Sequence, residues 1–238
     1  MKKILTISLF LSLLSLSSCY FPINAVQGNG KIVNKEIIIP NISEIVLKGS
    51  GDVFITKGDK PSLFIETDEN IFDLLDTQIS ENRLILDSKE TISPSKLIYW
   101  ITVSKINEII IDGSGDVMVN EGFNSNNFKS TIKGSGDIFV KNLNTESLKV
   151  LISGSGNIKM SGSCNIASLE VDGSGDIIFN EMESKRVTAS INGSGDMKIN
   201  VTEYFKAVIN GSGDIGYIGN PSTFETKVNG SGEIYKLK

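Results

Sequence analysis

The chain has no histidine, only two cysteines (Cys19 and Cys164) and few prolines among its 238 residues. The absence of histidine removes the commonest general base and the commonest side-chain metal ligand. A formal net charge of −5, from 23 basic and 28 acidic residues, disfavours nucleic acid as a partner, because nucleic acid calls for a basic patch. We therefore expect no cofactor, no metal site and no nucleic-acid partner.

The first residues have the pattern of an export signal. Lys2 and Lys3 precede an apolar segment over residues 4–16, which is the order found in secretory signal peptides. The segment ends in Leu16-Ser17-Ser18-Cys19, which resembles the lipobox of bacterial lipoproteins. That resemblance implies a lipoprotein signal peptide over residues 1–18 and acylation of Cys19. The alternative is an ordinary signal peptide that contains a cysteine.

The processed chain is expected in the bacterial cell envelope, lipid-anchored to a membrane such as the outer membrane, either periplasmic or surface-facing. Without Lys2 and Lys3 the chain keeps 21 basic and 28 acidic residues, a net charge of −7, so the lipid and not charge would hold it to an anionic bilayer. Residues 19–34 lack apolar periodicity and are predicted to form a flexible tether. If Cys19 is acylated, Cys164 has no disulfide partner and is expected to be a small buried residue.

A tetrapeptide repeat dominates the rest of the chain. Gly-Ser-Gly followed by an acid or amide begins at eight positions: Gly49, Gly113, Gly134, Gly154, Gly173, Gly193, Gly211 and Gly230. From Gly113 onward the spacings are 21, 20, 19, 20, 18 and 19 residues, whereas the first gap is 64, close to three more periods. Such a regular period indicates a solenoid built from one repeated unit.

Apolar residues alternate with polar ones through each unit, which predicts β-strands. One unit places these residues on a single face: Val187, Ala189, Ile191, Gly193, Gly195, Met197 and Ile199. The alternation crosses the tetrapeptide without a shift, so both glycines are predicted to face inward, where they allow the backbone to bend or to approach the next coil closely. Single apolar residues in the turn segments, such as Phe123, Leu143, Met182 and Ile218, would fill a third side.

A unit of ~20 residues is too short to contain a crossover helix but fits one coil of a solenoid. The predicted fold is therefore all-β, a single-stranded right-handed parallel β-helix over residues 35–238. Residues 35–112 are predicted as irregular N-terminal coils and residues 113–238 as regular coils. From Gly49 to the end there is room for roughly ten coils, a rod about 45–50 Å long at ~4.8 Å per coil.

The outward positions of the tetrapeptides form a predicted polar ladder. Its members are Ser114, Asp116, Ser135, Asp137, Ser155, Asn157, Ser174, Asp176, Ser194, Asp196, Ser212 and Asp214. Calcium is disfavoured as a ligand of this ladder, because calcium-binding solenoids repeat every nine residues and each ion takes six to eight oxygens. We expect a structural role, in which the side chains bond backbone N–H groups at the bend, and keep the ladder as a candidate binding surface.

These units resemble the head GIN domain family, which is also described as "putative auto-transporter adhesin". The resemblance covers roughly residues 37–238 and includes the ending Tyr217-Ile218-Gly219-Asn220-Pro221 before the last Gly-Ser-Gly. It implies a right-handed parallel β-helix in the cell envelope and supplies no catalytic residues. The chain departs from the family pattern at Asn157 and Glu233, which puts in doubt a single shared role for every acid.

The predicted function is a non-catalytic, adhesin-like binding or structural module, with a glycan or an envelope protein as the candidate ligand. The alternative is a polysaccharide-active β-helix enzyme that uses outward carboxylates. A ladder of equivalent carboxylates offers no asymmetry to separate an acid from a base, so the enzyme reading is disfavoured. Lys236 and Lys238 beside Leu237 resemble charged guards of a strand edge, which favours a monomeric rod over one that self-associates weakly.

A row of outward residues is unexpectedly apolar. The residue two places after each acid or amide shares its outward parity, and in chain order the row is Phe54, Met118, Phe139, Lys159, Ile178, Lys198, Gly216 and Tyr235. We call this set the apolar row. A contiguous exposed row of this kind marks an interaction surface, unless a loop or the tether covers it or the face turns inward.

Overall fold

The computed structural model describes residues 24–238, which form strands with a single short helix. The elements are β1 (Val26–Gln27), β2 (Ile32–Ile38), β3 (Glu44–Gly49), β4 (Asp52–Lys57), β5 (Ser62–Asp68), α1 (Glu69–Phe72), β6 (Leu75–Ser80), β7 (Arg83–Ser88), β8 (Ile92–Ser93), β9 (Leu97–Val103), β10 (Glu108–Gly113), β11 (Val117–Val119), β12 (Asn124–Gly134), β13 (Ile138–Gly154), β14 (Ile158–Gly173), β15 (Ile177–Gly193), β16 (Met197–Gly211), β17 (Ile215–Ile218), β18 (Thr223–Gly230) and β19 (Ile234–Lys236). Within residues 24–238, no helix has the length and apolar character needed to cross a bilayer.

The repeated units stack as parallel coils in strict register. The first glycine of each tetrapeptide pairs with the first glycine of the next, from Gly49 through Gly113 to Gly230. The strands that follow the tetrapeptides pair in the same way, from β4 through β11 to β19. The prediction of an all-β solenoid with parallel coils of ~20 residues is confirmed.

The prediction of roughly ten coils is wrong. Gly49 pairs directly with Gly113, although 64 residues separate them in the chain. The intervening segment lies on the other side of the Gly49 coil, where β7 pairs with β3 and β9 pairs with β4. The eight tetrapeptides therefore lie in one unbroken column, and the solenoid has about six turns.

The core is a set of inward columns that run along the rod. Alternate residues in the strands of the regular coils, such as Ile111, Ile132 and Ile152 in one column, are completely buried. Phe123, Leu143 and Met182 close the third side, as the sequence predicted, with exposures of 1% or less, whereas Ile218 is partly exposed. Each coil thus buries its apolar face against the coils before and after it, which is the source of solenoid stability.

The N-terminal region differs from its prediction as irregular coils over residues 35–112. Residues 44–57 form a regular coil, but β5 pairs antiparallel with both β2 and β9. A hairpin of β6 and β7 is also antiparallel, and its second strand runs parallel to β3. Alternating apolar residues predicted these strands correctly but carry no information about strand direction, which the missing tetrapeptides leave open.

The predicted tether over residues 19–34 is wrong for its second half. The β1 strand pairs in parallel with β8, and β2 begins at Ile32. The carboxylate of Asp68, which is fully buried, accepts a hydrogen bond from the Gly30 N–H at 2.7 Å and fixes this segment to the body. Cys19 and its lipobox lie outside the described residues.

The two ends of the rod are unlike each other. At the N-terminal end, β7 covers the edge of β3 and β9 covers the edge of β4. At the C-terminal end, β18 pairs with β16 and β19 with β17, and in residues 24–238 no further strand covers their outer edges. The first regular coil is therefore capped at the N-terminal end by strands whose outermost members are β2 and β6, and within residues 24–238 the last coil at the C-terminal end is open.

Candidate binding surfaces

The tetrapeptide lies at a corner of each coil and presents its serine to solvent. The second glycine is buried, the serine is exposed and the acid or amide is half-buried, in all six regular units except that Asp196 is exposed. The N–H of each serine donates to the carbonyl of the first glycine one coil back, as for Ser135 to Gly113 at 2.9 Å. The twelve predicted ladder residues thus form two columns along one edge of the rod.

Glycine is required at both corner positions for different reasons. A Cβ at Gly195 would lie 2.0 Å from the carbonyl oxygen of Gly175, so close approach of backbones excludes any side chain there. A Cβ at Gly134 would meet the Gly113 oxygen at 2.2 Å, and its φ of 135° also disfavours other residues. The corner is therefore a contact between backbones.

The acid column bonds each coil to the next. The N–H of Asp137 donates to Oδ1 of Asp116 at 2.8 Å, and the same bond recurs from coil to coil up to Glu233, whose N–H donates to Asp214. Asn157 takes part as both donor and acceptor, and its amide adds a second bond to Asp137 at 3.0 Å. One side-chain oxygen of each of these residues from Asp116 to Asp214 thus accepts a backbone hydrogen bond from the next coil.

The acid column does not have the arrangement of a metal site. In the part of the chain that the structure describes, no three His, Cys, Asp or Glu side chains converge on one point. At the N-terminal end of the column, partial burial and then the neighbouring Asp116 carboxylate raise the pKa of Asp52, against a lowering backbone hydrogen bond. The carboxylates stand in single file, which suits a backbone ladder.

A second polar surface, which we call the amide groove, lies at another corner of the coils. It is an open cleft of about 730 Å³, and its walls include Asn107, Asn124, Ser125, Asn144, Ser163 and Asn165. Side chains bond across coils here too: Asn144 donates to Asn124 at 3.3 Å and Ser163 donates to Asn144 at 2.9 Å. Asn124 and Asn144 stand at equivalent turn positions of neighbouring units, which could have predicted this groove. The sequence analysis interpreted those segments only as turns and as the third side of the core.

The apolar row lies in register on the outside of the rod. Phe54, Met118 and Phe139 are direct neighbours on adjacent strands, and Lys159 and Ile178 continue the row. Phe139 is 37% exposed and Tyr235, at the far end, is 42% exposed. Gly216 is buried, whereas the other members of the row are exposed or partly exposed, so no segment within residues 24–238 covers them.

The structure adds two aromatic residues to the N-terminal end of this row. Trp100 pairs with Phe54, and Phe64 pairs with Trp100. The rings of Phe54 and Trp100 stack with centroids 4.4 Å apart and an angle of 19°, and Trp100 is 42% exposed. We call Phe64, Trp100, Phe54, Met118 and Phe139 the aromatic platform.

The platform continues into a cleft of about 520 Å³. Met118 and Phe139 form its apolar side, while Asn142, Lys159 and Glu181 supply polar groups. The residues of the platform stand on strands whose register is fixed by their neighbours, so the surface is rigid. It offers an apolar contact with hydrogen-bonding groups at one side.

Cys164 belongs to the core. It is a free thiol with 4% exposure, and its Sγ lies 3.2 Å from the Ser184 hydroxyl. Burial raises the pKa of the Cys164 thiol, against the lowering effect of the Ser184 bond. The prediction of a small buried residue is confirmed, and a reactive role is disfavoured.

A family model matches most of the chain. The model described as "Putative auto-transporter adhesin, head GIN domain" matches residues 41–221. No curated protein matches the chain.

Three solved structures are similar over nearly the whole chain. A "putative adhesin" from Bacteroides fragilis is 27% identical, with a TM-score of 0.83, and covers 90% of this chain and 100% of its own. A "putative lipid binding protein" from Parabacteroides distasonis is 26% identical, with a TM-score of 0.74 and the same coverage. A "putative adhesin" from Parabacteroides merdae, 24% identical with a TM-score of 0.71, covers 90% of this chain and 99% of its own, and shows the fold alone.

Proposed function

The chain belongs to the head GIN domain family of "putative auto-transporter adhesins", and from this premise we propose that it is a non-catalytic, adhesin-like module of the bacterial cell envelope. In this proposal a lipid on Cys19 holds the module to a membrane, and the aromatic platform binds a glycan. The observation that supports a glycan ligand is the exposed Trp100 stacked on Phe54 within an in-register row.

The chemistry of the platform suits a sugar. The apolar C–H face of a sugar ring packs on an aromatic ring, and its hydroxyls then need hydrogen-bonding partners at the rim. Trp100, Phe54 and Phe139 supply the rings, and the adjoining cleft supplies Asn142 and Lys159. Because the platform spans several coils, it could contact several consecutive sugar units.

A lipid is the second candidate ligand, favoured by the relative that is described as a "putative lipid binding protein". The interior of the solenoid is filled by its own side chains, which are almost completely buried. An acyl chain would therefore lie on the outside, on the same platform. The two ligands are distinguished by titrating soluble oligosaccharides in one arm and short-chain phospholipids below their micellar concentration in the other.

Trp100 is the only tryptophan of the chain, so its fluorescence reports on the platform alone. We expect titration with envelope oligosaccharides to change the emission of Trp100 saturably. Trp100→Ala and Phe139→Ala should each weaken binding in a glycan-array assay by roughly tenfold or more. Tyr235→Ala, in the same row but at the far end of the rod, is the matched control and should bind normally.

The proposal of a glycan ligand fails if oligosaccharides leave both the emission and the array signal unchanged. It also fails if Tyr235→Ala weakens binding as much as Trp100→Ala. Saturation by phospholipid alone would indicate that the platform binds lipid and not glycan. Changing Met118, Phe139 and Ile178 together to Ser should abolish binding and leave the chain folded, whereas unfolding would assign these side chains to the core.

The anchor is tested separately at Cys19. Cys19→Ala should release the protein from the membrane fraction, because the net charge of the processed chain gives it no attraction to anionic lipid. Detergent-phase partitioning that is unchanged by Cys19→Ala would contradict the anchor. The same variant should keep its glycan affinity, since the substitution changes no residue of the platform.

The non-catalytic assignment rests on the equivalence of the carboxylates. A glycosidase needs two carboxyl groups in different environments, one as acid and one as base or nucleophile. Asp116, Asp137 and Asp176 all make the same coil-to-coil bond or its equivalent. Polysaccharide cleavage that is lost on Asp116→Asn or Asp137→Asn would instead support the alternative, a β-helix enzyme.

A further inference from the structure

Within residues 24–238, the C-terminal coil ends in a strand whose inward side chains have no further layer above them. Phe224 and Val228 of β18 are 46% and 40% exposed, whereas their partners one coil back, Phe205 and Ile209, are completely buried. Every residue of β18 is exposed. The inward column therefore ends in an apolar surface beside an unpaired strand edge, a combination that favours pairing with another strand.

The sequence of β18 is complementary to itself about Thr226. When two copies run antiparallel with Thr226 opposite Thr226, Phe224 lies opposite the second copy's Val228. In the same register Glu225 lies opposite the second copy's Lys227. Opposite charges and apolar pairs directly across an antiparallel ladder are stabilising, and this register provides both twice.

Neighbouring registers are unfavourable. Centring the pair on Glu225 places two carboxylates opposite each other, and centring it on Lys227 does the same for two ammonium groups. A shift by one residue turns the inward faces of the two copies to opposite sides. Like charges across a ladder are destabilising, so the charges of β18 select the register about Thr226.

From this geometry we propose that the protein forms a two-fold symmetric dimer, C-terminal end to C-terminal end, through antiparallel pairing of β18 with β18 of a second copy. The axis passes between the two Thr226 residues, and the inward columns of the two rods meet across it. The contact is closed by its symmetry. Each rod has a single β18, so this contact stops at two copies and does not extend into a filament.

Two lysines near this edge, Lys236 and Lys227, do not obstruct the arrangement. Lys236 is turned toward its own chain, where its Nζ donates to Oδ1 of Asn220. Lys227 is on the outward parity of β18, and the second copy's Glu225 offsets its charge. Glu225 also lies 3.9 Å from Lys206 of its own chain, so the carboxylate would have a cation on each side.

Cysteine cross-linking tests the register in the full chain. In detergent-solubilised membranes, Thr226→Cys should give a disulfide-linked dimer on mild oxidation, because directly opposite Cα atoms lie ~5 Å apart. Thr223→Cys is the control: its two copies would be separated by six residues, roughly 20 Å along the strands, and should not cross-link above the unsubstituted chain. Equal cross-linking of both variants overturns the proposal, as does a ladder of species larger than a dimer.

A charge swap tests the pairing in solution by sedimentation equilibrium. Glu225→Lys and Lys227→Glu should each weaken dimerisation roughly tenfold or more, because each turns two opposite-charge pairs into like-charge pairs. The double swap should restore the dimer, while thermal midpoints confirm that each variant is folded. An unsubstituted chain that stays monomeric up to roughly millimolar concentration, or a double swap that does not recover, overturns the proposal.

Discussion

A stack of parallel coils leaves an unpaired strand edge at each end, and the N-terminal and C-terminal ends of this rod differ in whether another strand pairs with that edge. In the regular coils every strand runs in the same direction, and the polar ladders are built from aspartates and amides such as Asn192 and Asn210, joined at 2.8 Å. Between Gly49 and Gly113 the chain has no tetrapeptide, and its strands include antiparallel pairs. Ion pairs form there in addition, as where Arg83 contacts Glu44 at 2.7 Å and Glu108 at 3.0 Å.

The difference shows that a repeat cannot cover its own end. A parallel coil always leaves an edge that fits another coil, and only a strand that breaks the pattern can close it. In the N-terminal region β7 and β9 extend the parallel stack by one layer, and the antiparallel strands β6 and β5 then pair with them. The C-terminal region keeps the pattern to its last tetrapeptide, Gly230 to Glu233, and remains open.

The comparison predicts that the regular coils are most sensitive at their corner glycines. Gly195→Val should destabilise the protein by about 3 kcal/mol, because the side chain would collide with the backbone of Gly175, which cannot move without breaking the ladder. Ser194→Val, one residue away on the exposed side, should change stability by less than about 0.5 kcal/mol. Urea denaturation of both variants measures the contrast. Equal midpoints would mean that the corner is not a backbone contact.

The capped region is predicted to be most sensitive to acid at Asp68. The Ser95 hydroxyl donates to this carboxylate at 2.6 Å, and this bond, helped by backbone N–H groups of Gly30 and Ser95, lowers the pKa of Asp68 to about 2 against the effect of burial. The native pKa is below the unfolded value of about 3.9, so the stabilisation is present above roughly pH 4 and is lost as the pH falls toward 2.

Asp68→Asn should therefore lower the urea midpoint at pH 7 and flatten its dependence on pH between 4 and 2. Asp59→Asn, at an exposed position of the same region, is the control and should retain the pH dependence of the unsubstituted chain. Hydrogen exchange should locate the acid-sensitive opening in residues 24–34 and 95–97, which surround the Asp68 carboxylate. Exchange that rises first in the regular coils would contradict the assignment.

The acid column should contribute a smaller, local amount. Asp137→Ala removes the acceptor of two bonds from Asn157, to its N–H at 2.7 Å and to its amide at 3.0 Å, and should cost about 1 kcal/mol. Ser135→Ala in the same tetrapeptide removes an exposed hydroxyl and should have almost no effect. Thermal unfolding distinguishes the two, and an equal loss for both would show that the ladder does not depend on the carboxylate.

The smallest expected effect is that of a chelator. The carboxylates of the acid column stand in single file with one oxygen of each engaged by the next coil. EDTA should therefore leave the thermal midpoint unchanged in both regions of the rod. A large drop that added calcium reverses would show that the column is a metal ladder.

The contrast between the regions also explains what could be predicted from the sequence. The eight tetrapeptides and the unbroken alternation around them predicted the coils, their register and the outward position of Ser194, because each unit repeats one set of contacts. The excursion between Gly49 and Gly113 was misjudged as further coils, since its length is close to three periods.

The aromatic platform was predicted in part for the same reason. Phe54, Met118 and Phe139 occupy one position of the repeat, so their row could be predicted. Trp100 and Phe64 joined it only through the pairings of β9 with β4 and of β5 with β9, which are not repeated anywhere. Contacts made once leave no periodic signal in a single sequence.

The uneven length of the coils has a consequence for how the rod can be altered. From Gly113 onward the spacing of the tetrapeptides varies from 18 to 21 residues, yet their register never changes. The surplus is taken up where the pairing slips, as between Val140 and Leu143. The corner at the tetrapeptides thus keeps a constant register, and the other side of each coil accommodates the differences in length. A foreign epitope grafted beside Asn142 would displace no coil, so display of peptides along this side is open to design, with the melting temperature of each graft as its measure.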